Sequence, residues 1–164
     1  MYSVNDTVMY SSYGVCRIES IEKRDFSGEP TEYYILRPVS DDRNTFYVPT
    51  GNERLTAQMR KILSREEINE LIRTMPDDNF NWIDNENQRK DEYRKIIENG
   101  NRRELVMLIK ALYIHQQNQR TINKRLHSAD ERFLKDAENM LYDEFAYVLN
   151  ISKDDVIPFI RSHI

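Results

Sequence analysis

The side chains that could run a reaction are few and scattered. His115, His127 and His163 are the three imidazoles in 164 residues, and none stands at the helical spacing that turns two ligands toward one metal ion. Cys16 is the single thiol; Arg17 beside it could lower its pKa, but in a strand-like run without a nearby histidine it reads as a packed side chain. Four glycines, at 14, 28, 51 and 100, cannot build a dinucleotide or Walker loop. Glu66-Glu67 and Asp154-Asp155 pair carboxylates, yet both pairs fall in first helical turns, where the positive helix end accounts for them. These residues point away from an enzyme and imply no cofactor, no metal and no small-molecule substrate.

Binding chemistry is better represented. Between Arg89 and Arg125 stand ten basic residues against four acidic ones, whereas 64–88 carries two bases and seven acids and 126–164 four bases and eight acids. A basic middle between acidic flanks can face phosphates, or it can be a solvated helix face. The net charge of −4 and a pI near 5.5 weigh against nucleic acid as a partner of the chain as a whole. Ten tyrosines could stack on unpaired bases, but they are spread through both halves, and Tyr33, Tyr34 and Tyr47 fall in strand patterns where cross-strand packing is the default use. Trp82, following Phe80, reads from its neighbours alone as a packing residue at the edge of a bundle.

Two kinds of element must position these side chains. Through the first part of the chain β-branched and aromatic residues alternate between turn signals, predicting strands at Thr7–Tyr10, Val15–Arg24, Glu32–Arg37 and Thr45–Val48, with a further short strand in Met59–Leu63. So short a stretch suits a small, strongly curved antiparallel sheet or barrel. From Ser64 the period becomes helical. Ser64 with Glu67, Asn101 with Glu104, Ser128 with Glu131 and Ser152 with Asp155 read as helix starts, and Gly100 as a left-handed stop. Helices are expected near 64–74, 86–98, 101–119, 128–149 and 152–162, with a connector from Met75 to Trp82. Leu105, Leu108, Ile109 and Leu112 form one apolar stripe; Phe133, Leu134, Ala137, Leu141, Phe145 and Val148 form another. The expected architecture is α+β in two domains, 1–63 a β module and 64–164 a helical bundle. No apolar run approaches the ~20 residues that span a bilayer. The opening MYSVNDTVMY lacks the pattern of a secretory signal, and one cysteine suits a reducing compartment, so a cytoplasmic protein without a membrane partner is expected.

The run NDTVMYSSYGVCRIESIEKR, followed by SGEPTEYYILR and NTFYVP, resembles the start of CarD/CdnL-family proteins, a module shared with the transcription–repair coupling factor. The residues that carry it are Asp6, Val8, Tyr10, Gly14, Val15, Ile18, Ile21, Glu22, Gly28, Tyr33, Tyr34, Leu36, Val48 and Pro49. Further on, Asn81-Trp82, a basic helix and SADERFLKDAENMLYDEFAYVL are similar to the family's second half. The resemblance implies a Tudor-like barrel that binds the β subunit of bacterial RNA polymerase, through residues such as Arg24, Tyr33 and Tyr47. It also implies a helical domain on promoter DNA just upstream of the bubble, where Trp82 wedges into the minor groove and stabilises the open complex. The pool of phosphate contacts is then Arg89, Lys90, Arg94, Arg102, Arg103, Lys124, Arg125, Arg132 and Lys135. Tyr47 stands where some relatives carry arginine, and Glu131 and Asp136 stand where relatives carry DNA-facing lysines. Those carboxylates favour the rival reading, a polymerase-binding adaptor that does not use DNA.

Overall fold

The computed structural model describes residues 1–41, 43–75 and 81–163. The chain divides into two compact units, Met1–Ile62 and Leu63–Ile164, the first mainly β and the second helical.

In the first unit β1 (Thr7–Tyr10), β2 (Val15–Arg24), β3 (Thr31–Pro38), β4 (Phe46–Pro49) and β5 (Met59–Lys61) make one antiparallel sheet in the order β4-β3-β2-β1-β5. Among the described residues this ladder stays open, with β4 and β5 as its edges, where a closed barrel was expected. Closure needs strands long enough to tilt and pair first with last, and edges of four and three residues do not supply that length. The sheet nevertheless curls tightly. Val48 of β4 and Met59 of β5, from opposite edges, share one buried cluster with Val8, Tyr10, Cys16, Ile18, Tyr34 and Leu36.

A bulge in β2 makes this core possible. Ile18 pairs with Leu36 but Ser20 with Ile35, so one extra residue is inserted. Three positions apart, Ile18 and Ile21 would point to opposite faces of a regular strand; the insertion returns both to the core. Cys16 is buried there, and burial pushes its thiol up to about 12, which removes the reactive thiolate. Between β4 and β5 the chain forms a short helix, α1 (Glu53–Thr56), with Asn52 accepting from the Leu55 N–H.

The second unit holds α2 (Arg65–Thr74), α3 (Glu86–Asn99), α4 (Arg102–Thr121), α5 (Ser128–Leu149) and α6 (Val156–Ser162). Ser64 and Glu67 form a reciprocal capping box, Asn85 and Asn101 cap α3 and α4, and Gly100 ends α3 at φ 65°. α5 departs from the expectation: His127 occupies its cap position without a side-chain bond, and Ser128 is already helical. α4 and α5 are shared by two apolar clusters. One joins Ile68 and Ile72 of α2 to Val106, Leu141, Phe145 and Val156; the other joins Tyr93 of α3 to Leu105, Leu108, Leu112, Leu134 and Met140. Residues 76–80 of the expected connector lie outside the described residues; Trp82 stands four residues before α3.

Candidate functional site

Trp82 is half-buried and packs against the second cluster. The His115 ring of α4 stacks on it, with centroids 3.8 Å apart and planes 10° from parallel. The Arg89 guanidinium carbon lies over the indole, 4.7 Å from its centroid, and Tyr93 meets it edge-on at 6.4 Å. His115 is tied at Nε2 to Gln119, one turn further along α4, at 3.1 Å. Burial holds the His115 imidazole below its usual value, with the Asp130 carboxylate pulling the other way, so the ring that stacks on Trp82 at neutral pH is the uncharged one. A histidine whose folded pKa is depressed contributes stability that is complete above the unfolded value of about 6.5 and is lost as pH falls through the folded one. Because Trp82 is the one tryptophan and a protonated imidazole quenches indole emission, its fluorescence should fall with a midpoint below 6.5. A profile that stays flat from neutral pH down to the acid unfolding of the protein would contradict the stacked arrangement.

Two of the nine residues expected on phosphates are committed elsewhere. The Arg89 side chain is 4% exposed and Asp130 only 1%, and the two form a fork: Nε to Oδ1 at 3.1 Å and Nη2 to Oδ2 at 2.9 Å. The remaining Arg89 donor reaches the Ile83 carbonyl at 3.0 Å. Arg89 is therefore a structural side chain that ties the Trp82 segment to α5, and it is withdrawn from the phosphate pool. Arg102 forms a second fork with buried Glu144, at 3.1 and 2.8 Å, and Glu144 also accepts from the Leu63 N–H. An arginine held by two charge-assisted bonds has little left for DNA, so Arg102 is withdrawn too.

The other cations are at the surface, but not equally available. Lys90 pairs with Glu86 at 3.0 Å and Arg94 with Asp91 at 3.3 Å along α3. Arg103 is exposed at the start of α4, and Arg132 and Lys135 are exposed on α5 near Glu131 and half-buried Asp136. Lys124 and Arg125 join Arg120, a residue that spacing did not single out, around a cleft of about 390 Å3 completed by Gln116, Asn123, Leu126 and Glu131. Among the described residues Arg120, Lys124 and Arg125 form no ion pair. The cleft lies between the end of α4, the loop after it and α5: Gln116 and Arg120 line it from the stripe next to His115 and Gln119, and Asn123, Lys124, Arg125 and Leu126 from the loop.

In the β unit, cross-strand pairing places Arg24, Tyr33 and Tyr47 on one face, the one turned away from the core. Glu22 faces Tyr33, Arg24 faces Thr31, and Tyr33 and Ile35 face Pro49 and Tyr47. Arg24 is held by Glu22 at 2.7 Å. Phe26, from the turn after β2, completes the surface: it is 62% exposed and meets Tyr33 at 5.3 Å and Tyr47 at 5.2 Å, both edge-on. Sequence spacing misses it because it lies outside every strand. Tyr47, 44% exposed, sits on edge strand β4, whose outer hydrogen-bonding groups face no other strand of the sheet.

Comparison with protein families matches residues 2–63 to the CarD-like/TRCF RID domain and residues 70–161 to the CarD C-terminal domain. The chain belongs to the CarD family. As a CarD-family protein it is an RNA polymerase-interacting transcription regulator, and the two matches fall on its β and helical parts. Among the described residues no helix is long and apolar enough to cross a membrane.

Proposed function

We propose that this CarD-family protein holds the β subunit of bacterial RNA polymerase with its Tudor-like β unit and promoter DNA with its helical unit, stabilising the open complex in the cytoplasm. The polymerase would meet the outer face of β2–β4, where edge strand β4 offers backbone groups and Arg24, Tyr33, Tyr47 and Phe26 offer side chains. The helical unit would lie upstream of the bubble, with Trp82 at unstacked bases in the minor groove and cations on the backbone. The observation that supports this most is the cleft of Arg120, Lys124 and Arg125, three cations without ion pairs among the described residues, in the last turn of the helix whose His115 stacks on Trp82 and in the loop that follows it. Arg103, Arg132 and Lys135 extend the contact, and Lys90 and Arg94 would join it by exchanging Glu86 and Asp91 for phosphates.

Duplex binding measured against salt tests the DNA half. The double change Lys124→Gln and Arg125→Gln should weaken binding at every sequence alike. It should also flatten the log–log salt dependence by about 2 units, near 0.9 for each phosphate that is no longer neutralised. If polymerase binding is intact and these substitutions change neither affinity nor slope, the protein is the adaptor that ignores DNA, the reading that Glu131 at the cleft wall favours.

A further inference from the structure

Trp82 lies in a stretch, 81–84, that belongs to no helix or strand, so the direction of its indole is set by side-chain contacts. Those contacts come from two helices, α3 and α4, and a third, α5, secures one of them. Arg89 of α3 is fixed in turn by Asp130 of α5, Tyr93 of α3 is wholly buried, and His115 projects from the interior of α4. His115 makes the closest of the three: at 3.8 Å and 10° its ring covers a face of the indole, and Gln119 limits rotation of the imidazole. We infer that His115 is a positioning residue for Trp82, a flat backing that holds the indole plane so that the ring meets DNA already oriented. The inference rests on the wedge reading of Trp82 but assigns a separate task to a separate residue.

The physical gain is preorganisation. A mobile aromatic side chain must be immobilised when it inserts, and that cost is subtracted from the stacking it gains. A ring already backed by a second ring has met the cost in folding. Aromatic shape matters here: a flat six-membered ring can replace the imidazole, whereas an aliphatic side chain fills space without fixing a plane.

The test uses the full chain with His115→Ala, His115→Phe, His115→Leu and Trp82→Ala. Two readouts are needed: time-resolved fluorescence anisotropy of Trp82 in the free protein, and the lifetime of open promoter complexes at saturating protein. His115→Ala should speed depolarisation of Trp82 and shorten the lifetime about two- to tenfold, with polymerase affinity unchanged. His115→Phe should restore both. If His115→Ala fails to fold, His115→Phe against His115→Leu decides instead: Leu should reproduce the loss and Phe should not. Unchanged anisotropy in His115→Ala, or equal behaviour of Phe and Leu, would overturn the positioning role. If Trp82→Ala leaves the lifetime intact, the wedge reading is what has failed, and anisotropy still decides whether His115 holds the ring.

Discussion

Replacing Asp130 with Ala should destabilise the helical unit by about 3–5 kcal/mol, the cost of leaving a buried arginine without its counter-charge. At 4% exposure the Arg89 side chain cannot turn to solvent without carrying the Trp82 segment with it. The pair is not the only solution for that space. Arg89→Met with Asp130→Leu removes both charges together and should recover most of the loss, because a buried ion pair and a packed apolar pair of similar volume are close in stability. Chemical denaturation of the wild type, the single variant and the double variant measures this directly. The double variant should still hold Trp82 poorly, since the guanidinium over the indole and its bond to Ile83 are gone. Stability and Trp82 orientation would thus separate in one protein.

Trp82→Ala carries the second large effect. A base–aromatic stack contributes about 1–3 kcal/mol, so its loss should shorten the open-complex lifetime by about one to two decades. The same change removes a half-buried ring from the cluster around Tyr93, at a cost of about 1–2 kcal/mol in folding stability. That cost is small enough for the variant to remain folded near room temperature. Polymerase binding should be unaffected, because Arg24, Phe26, Tyr33 and Tyr47 lie in the other unit.

The elements are legible in the sequence where local chemistry sets them. Ser64 with Glu67, Asn101 with Glu104 and Gly100 mark helix ends within a few residues, and each does in the structure what its type predicts. β2 is legible as a strand but not as a bulged one, since the extra residue between Ile18 and Ser20 shows only against β3. Site residues divide in the same way. The ion pairs Lys90–Glu86 and Arg94–Asp91 lie within four residues and can be read along one helix face. Arg89 and Arg102 find their partners 41 and 42 residues away, so by spacing alone they look like surface cations. His115 carries no signal in the sequence, where it lacks the spacing of a metal ligand; its stack with Trp82 joins residues 33 positions apart and leaves no local pattern. Phe26 gives no signal of its own, because a turn residue has no face until the hairpin around it exists.

The most direct test of the central claim is the decay of open promoter complexes after heparin challenge, with bacterial RNA polymerase saturated by the wild-type protein, by Trp82→Ala or by neither. The wild type should lengthen the lifetime and Trp82→Ala should return it toward that of polymerase alone while still binding the enzyme. A Trp82→Ala protein that protects the complex as long as the wild type does would contradict the account.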